Sequence, residues 1–105
     1  MDIEKQAARL GMDKEEFKEL LCLFVQTSVA ELSDLQVAIN AGDHQRAKRL
    51  LHSFKGASAN LGLTELAGRI LSLQNLVHSD PCQFPDQIRE LTRKVRELEN
   101  LLTAS

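Results

Sequence analysis

The sequence has no Trp and no Tyr, and its aromatic side chains are those of four Phe. A core built from it must be largely aliphatic, and a nucleic-acid site made of stacked aromatic rings is excluded. The formal net charge of −2 argues further against nucleic acid as a partner, because non-specific binding to nucleic acid depends on a basic surface. The longest uninterrupted apolar run, residues 20–25, is far shorter than a membrane span, so no membrane association is expected.

Cysteine and proline are also scarce. The two Cys, Cys22 and Cys82, have neither metal-ligand spacing nor the density of a disulfide framework, so no metal site is expected. The beginning of the chain has no signal-peptide pattern, which favours a cytoplasmic protein. Both Pro, Pro81 and Pro85, fall in one segment, so proline interrupts no helical pattern elsewhere. A length of 105 residues fits one domain, which we expect to span residues 1–105.

The remaining pattern is that of amphipathic helices with recognisable ends. A short helix is predicted from Ile3 to Leu10. Asp13, Asp43 and Thr64 precede the next three helices as N-caps do, and Gly62 ends the third. A fifth helix is predicted to begin near Asp86, after a loop over residues 79–85.

Apolar residues at a spacing of 3.6 define one face on each long helix. The predicted core positions are Phe17, Leu20, Leu21, Phe24, Ser28, Leu32, Leu35 and Ile39 in the second helix; Ala47, Leu50, Leu51, Phe54, Ser58 and Leu61 in the third; Leu66, Ile70, Leu73 and Val77 in the fourth; and Ile88, Leu91, Val95, Leu98 and Leu102 in the last. Short connections between such helices predict an all-α fold, an antiparallel up-down-up-down four-helix bundle with a short extra N-terminal helix as a lid.

A second stripe on the third helix consists of His52, Lys55, Gly56 and Ala59, spaced i, i+3, i+4 and i+7. At about 100° per residue it lies roughly 150° from the centre of the core face, so His52 is predicted to face solvent. A Gly in the middle of a helix costs up to about 1 kcal/mol relative to Ala. Nothing inside the protein requires Gly56 on an outward face, whereas a partner that approaches the backbone closely would.

This stripe suits phosphoryl transfer. A neutral imidazole nitrogen is a competent nucleophile, and the ammonium group of Lys55 can screen phosphoryl oxygens. A lone exposed His is usually an ordinary surface residue, and a lone helix Gly is usually tolerated without a function. The spacing alone therefore leaves both interpretations open.

Residues 52–62, HSFKGASANLG, resemble the signature of histidine-containing phosphotransfer (HPt) domains. In that signature His is followed by any residue, an apolar residue, Lys, Gly, two small residues and a Leu-Gly near the helix end. Every position is filled, although Phe54 stands where Leu is commonest. The resemblance implies that His52 is the phosphoacceptor, that Lys55 assists the phosphoryl group and that Gly56 makes room for a receiver domain.

The resemblance also implies the partners, which are response-regulator receiver domains and a sensor histidine kinase. The receiver would supply the Asp and the Mg²⁺, so this chain is expected to hold no cofactor. It would act as a stoichiometric carrier without autokinase activity, and not as an enzyme. A monomer is expected, because docking needs the His52 face free, but the apolar seam of the last helix leaves dimerisation open.

Further residues are predicted to contact the partner. Lys48 and Ala59 are in register with His52 on the third helix. If the second and third helices pair about Gly42, then Val29, Ser33 and Gln36 border the docking patch on the second helix. The alternative is that these last three residues contact the short first helix.

Two other functional classes stay open from the residues alone. One is a non-catalytic helical adaptor that binds through its apolar seams, although this does not explain Gly56 beside His52. The other is the dimerisation helix-hairpin of a histidine kinase, in which an acidic residue usually follows the His; here that residue is Ser53. An independent enzyme is disfavoured, because no second acid or base converges on His52 in the pattern.

Overall fold

The computed structural model describes residues 2–76 and 84–104, and these residues form five α-helices. The helices are α1 (Ile3–Arg9), α2 (Lys14–Asn40), α3 (His44–Asn60), α4 (Thr64–Leu76) and α5 (Phe84–Ala104). The predicted all-α class is confirmed.

The first three helices begin at Asp side chains that satisfy a free backbone N–H of the first turn. Asp2 accepts from the N–H of Lys5, and Asp13 accepts from that of Glu16 at 2.8 Å. Asp43 accepts from the N–H of Arg46 at 3.1 Å, which starts the helix that carries His52.

The chain reverses sharply on each side of α3. Gly42 and Gly62 both have a φ of 71°, a left-handed conformation that favours Gly at helix ends. As a result α3 runs antiparallel to α2 and to α4. Ion pairs between Glu65 and Lys94 and between Arg69 and Glu90 show that α5 runs antiparallel to α4.

The four long helices form a closed bundle. Successive helices pack against each other, and α5 returns to pack against α2, while α1 lies on α2. The largest fully buried side chains include Phe17, Phe54, Phe84, Leu35 and Ile70, so each long helix contributes to one core. This is the predicted four-helix bundle with a short additional helix.

Some details of the predicted core and helix ends are wrong. Leu20, assigned to the core, is 40% exposed, and Val25, which is not among the predicted core positions, is buried. Thr64 is the first residue of α4 and not its cap, and α5 begins at Phe84, before the predicted start. The ring of Pro85 is tolerated there because the first helical turn does not use its N–H. Val77, Cys82 and residues 79–83 of the predicted loop lie outside the described residues.

A buried polar side chain joins α1 to the end of α3. The Nε2 group of Gln6 donates to the carbonyl oxygens of Leu61 at 3.0 Å and Gly62 at 2.9 Å. These bonds satisfy carbonyls that the helix itself leaves unpaired. A Cβ at position 62 would lie 2.1 Å from that nitrogen, so the close approach also requires Gly62.

A ring of alternating charges covers the outer side of α4 and α5. Glu65 pairs with Arg69 and Lys94, Glu90 pairs with Arg69 and Arg93, and Glu97 pairs with Arg93 and Lys94. Lys94 donates charge-assisted hydrogen bonding to Glu65, which lowers the pKa of that carboxyl. Hydrogen bonding from Arg93 lowers the pKa of Glu90 in the same way. The opposite charges on this side of the bundle therefore largely neutralise each other.

By length and composition α2 is also apolar enough to cross a bilayer, the one such helix in the described ranges. This is weak evidence, since core helices of water-soluble bundles meet the same criterion. Here α2 packs against α1, α3 and α5 and supplies part of the shared core.

Candidate functional site

His52 lies near the middle of α3, on its solvent-exposed side. Its neighbour Leu51 and the nearby Phe54 are buried, and the ring of Phe54 packs against that of Phe24 in α2. No side chain of the described ranges forms a hydrogen bond or ion pair with the imidazole. The ring is therefore held at the surface by a well-packed helix and is accessible to a reactant.

The other members of the stripe surround this imidazole as the spacing predicts. Gly56, Ala59 and Lys48 are exposed, and Lys55 is half-buried. A Cβ added to Gly56 would meet nothing within 4 Å, so no contact inside the protein requires a glycine here. The structure thus brings His52, Lys55, Gly56 and Ala59 onto one open face.

Gly68 shows that an exposed glycine within a helix is not by itself evidence of a binding site. It also lies within a helix, on the exposed side of α4, and a Cβ there would meet nothing within 4 Å. An exposed helix glycine is therefore not unique to the site. The combination with His52 and Lys55 distinguishes Gly56.

The surface of α3 is positively charged. The helix contains Arg46, Lys48, Arg49 and Lys55 and has no Asp or Glu. None of these four side chains forms an ion pair within the described ranges, in contrast to the charge ring on α4 and α5. The unneutralised charge would attract an acidic partner or a phosphoryl group.

Two grooves run along α2, and only one of them reaches α3. Val29, Ser33 and Gln36 line a groove with residues of α5, on the side of α2 away from α3. The structure therefore does not bring these three residues to the His52 helix, nor does it place them against α1. Periodicity assigned them to a flank of α2 but could not say which neighbour that flank meets. Their docking role stays a prediction.

The groove between α2 and α3 was missed by the sequence analysis. It has a volume of about 250 Å³, and its lining residues are Leu20, Leu23, Phe24, Thr27, Ser28, Glu31, Ala57, Asn60 and Leu61. Leu20 and Leu23 are large exposed apolar side chains, 40% and 60% accessible. The sequence could have indicated this groove, because residues 20–30 contain no charged side chain. The outer face of this part of α2 is therefore uncharged, like its inner face.

No three His, Cys, Asp or Glu side chains come close enough to hold a metal ion within residues 2–76 and 84–104. The residues around His52 are cationic, which does not suit a divalent cation. That this chain uses no cofactor of its own stays a prediction.

A helical bundle that exposes His52, Lys55 and Gly56 on one face is typical of phosphotransfer proteins, and comparison with known families supports this class. The Hpt domain family model matches residues 19–105, so the chain belongs to the Hpt family. The crystal structure of histidine-containing phosphotransfer protein B (HptB) from Pseudomonas aeruginosa PAO1 is similar, with 30% identity and a TM-score of 0.82. The match covers 99% of this chain and 91% of that chain. Comparison with curated proteins gives no significant match.

Family membership establishes the coarse function. The protein is a phosphotransfer intermediate of two-component signalling, and Hpt proteins are carriers of phosphoryl groups and not classical enzymes. Proteins of this family interact with response regulators and histidine kinases in phosphorelays. That residues 1–105 form a single domain stays a prediction, since the family match begins inside α2.

Proposed function

We propose that His52 accepts a phosphoryl group from the phospho-aspartyl residue of a receiver domain, or from a kinase, and passes it to the Asp of a response-regulator receiver. One observation carries the proposal: His52 is an exposed, unpartnered imidazole at the middle of a buttressed helix, at the signature position of an Hpt chain. A helical adaptor does not account for Gly56 beside this imidazole, and a kinase hairpin usually has an acidic residue directly after the His, where this chain has Ser53.

The chemical step needs a neutral imidazole with its proton on Nδ1 and a lone pair on Nε2, the more accessible nitrogen. Nε2 attacks the phosphorus of the acyl phosphate, an N–P bond forms, and the P–O bond to the Asp carboxylate breaks. The carboxylate leaves with the bonding electron pair, and the ring keeps its Nδ1 proton. Transfer to the next receiver reverses these events, so no base on this chain is required.

Neighbouring residues serve binding and charge. Lys55, one turn from His52, reduces the negative charge of the phosphoryl oxygens during transfer. Gly56 leaves room for the receiver backbone, and Ala59 extends the small-residue surface. Lys48 and the other unpaired cations of α3 attract the acidic pocket of the receiver, which would supply the Mg²⁺.

The same proposal includes the biological setting. We infer a cytoplasmic, monomeric carrier that binds neither nucleic acid nor membrane and does not phosphorylate itself from ATP. Its donors and acceptors are receiver domains or a sensor histidine kinase. Size-exclusion chromatography with light scattering tests the monomer, and incubation with ATP alone tests the missing autokinase activity.

The decisive experiment uses phosphoramidate as a small phosphoryl donor. Intact mass spectrometry should show a single phosphoryl adduct on the wild type, labile to acid and stable to base. His52→Gln should give no adduct, while the control His44→Gln should be labelled like the wild type. Labelling that persists in His52→Gln would exclude His52 as the phosphoacceptor.

A further inference from the structure

The α2–α3 groove contains one charged side chain among the residues that the structure describes, that of Glu31. Glu31 and Ser53 lie at equal chain distances from the Gly42 turn, and Ser53 follows His52 directly. Because α2 and α3 run antiparallel about that turn, Glu31 lies at the end of the groove that is level with His52. A protein that covers His52 and the apolar part of the groove therefore also covers Glu31.

The Glu31 carboxylate is half-buried and has no cationic partner. No group in residues 2–76 and 84–104 donates a hydrogen bond to it or forms an ion pair with it, although α3 carries four cations. Burial raises the pKa of Glu31, and the charge of Asp34 raises it further. The carboxylate of Glu31 has therefore already lost part of its hydration in the free protein.

Docking would increase that cost. A partner that seats an apolar surface against Leu20 and Leu23 displaces the remaining water from Glu31. An ionised carboxylate that loses water without gaining a partner opposes binding strongly. Binding is favoured when the incoming protein brings a Lys or Arg to this position, because the carboxylate then exchanges water for an ion pair.

We propose that Glu31 is a specificity-determining residue, which selects receiver domains that place a Lys or Arg against the His52 end of the α2–α3 groove. This inference rests on the proposed function, because it takes a receiver as the occupant. Leu20 and Leu23 supply apolar contact to any receiver, whereas Glu31 penalises one with a neutral or acidic residue at that point. A matching receiver therefore presents acidic groups to α3 and a cation to α2.

Asp34 provides a matched control. It is an exposed acid one turn after Glu31 on the same helix, and it is not among the residues that line the groove. The variants are Glu31→Gln, Glu31→Lys and Asp34→Asn, each checked for native helical content. Purified receiver domains, phosphorylated with acetyl phosphate, are screened against the wild type. The rate of phosphoryl transfer from the fastest receiver is then measured for every variant, and phosphoramidate labelling of His52 is measured in parallel.

We expect Glu31→Gln to slow transfer from the receiver about threefold to tenfold and Glu31→Lys to slow it by more than about tenfold. Asp34→Asn should stay within about twofold of the wild type, and phosphoramidate labelling should be the same throughout. Replacement of one receiver Lys or Arg by Glu should restore transfer to Glu31→Lys. Glu31 variants that behave like Asp34→Asn would overturn the inference while leaving His52 as the phosphoacceptor. A wild type that phosphoramidate does not label would overturn the proposed function and this inference with it.

Discussion

The rings of Phe24 and Phe54 pack with their centroids 5.9 Å apart and their planes inclined by 40°. This contact joins α2 to α3 two residues beyond His52, on the opposite side of the helix. Both rings are buried, so the imidazole projects from a helix that cannot rotate without disturbing the core.

The first prediction concerns this contact. Phe54→Leu, which installs the residue commonest in the HPt signature, should lower the free energy of unfolding by about 1–2 kcal/mol, because the ring pair and part of the buried volume are lost. Urea unfolding measures the change. Labelling of His52 by phosphoramidate should persist under native conditions, and its loss in a folded variant would mean that Phe54 positions the imidazole more strictly than its packing indicates.

The second prediction separates the two exposed helix glycines. Gly56→Leu and Gly68→Leu should each raise the free energy of unfolding by about 0.5–1 kcal/mol, because Leu favours a helix and an added Cβ meets nothing within 4 Å at either position. Only Gly56→Leu should slow transfer from a receiver, by about tenfold or more, because its side chain obstructs close approach to His52. Stopped-flow transfer assays with one phosphorylated receiver make the comparison. Equal transfer rates for the two variants would show that Gly56 does not provide room for the receiver.

The third prediction tests which side of α2 binds the receiver. Leu23 and Val29 are similarly exposed, at 60% and 54%, but Leu23 lines the groove with α3 and Val29 lines the groove with α5. Leu23→Glu should weaken receiver binding about tenfold or more, and Val29→Glu should change it by less than about twofold. Titration calorimetry measures both. The opposite ranking would support the docking role that the sequence predicts for Val29, Ser33 and Gln36.

The fourth prediction concerns pH and the charge ring. The folded state lowers the pKa of Glu65 and Glu90 below the ordinary value of 4.5, so their ion pairs stabilise the protein above that pH. The contribution is lost as the pH falls through the lowered pKa values. When the pH is lowered from about 6 to about 3, the melting temperature of Glu90→Gln should therefore fall less than that of the wild type. Glu99→Gln, on the same helix but outside the ring, is the control, and an identical acid response of Glu90→Gln and the wild type would show that the ring contributes no net stability.

Periodicity in the sequence was sufficient to predict the bundle. Apolar spacing identified the buried faces of four helices, and the caps at Asp13 and Asp43 and the turn at Gly62 located helix ends correctly. His52 was placed on the exposed face for the same reason. These features depend on local geometry, which sequence spacing determines directly.

Other features depend on which elements become neighbours, and spacing does not contain that information. Phe84 seemed to belong to a loop because Pro85 follows it, yet it begins α5 and is fully buried. Gln6 is polar, and its burial is explained only by carbonyl groups far away in the sequence. The flank of α2 that contains Val29 could not be assigned to α3 or α5 until the bundle was known.

The hydrogen bonds between Gln6 and the end of α3 cross the boundary of the Hpt family match. The Hpt family match begins at residue 19, inside α2. Gln6, the residue whose side chain bonds the carbonyls just after α3, comes from before that point. A fragment cut to the family match would keep every signature residue and lose the two hydrogen bonds that Gln6 donates to the carbonyls after α3. The family match therefore covers the signature residues, while the contacts at the end of their helix extend into the segment before the match.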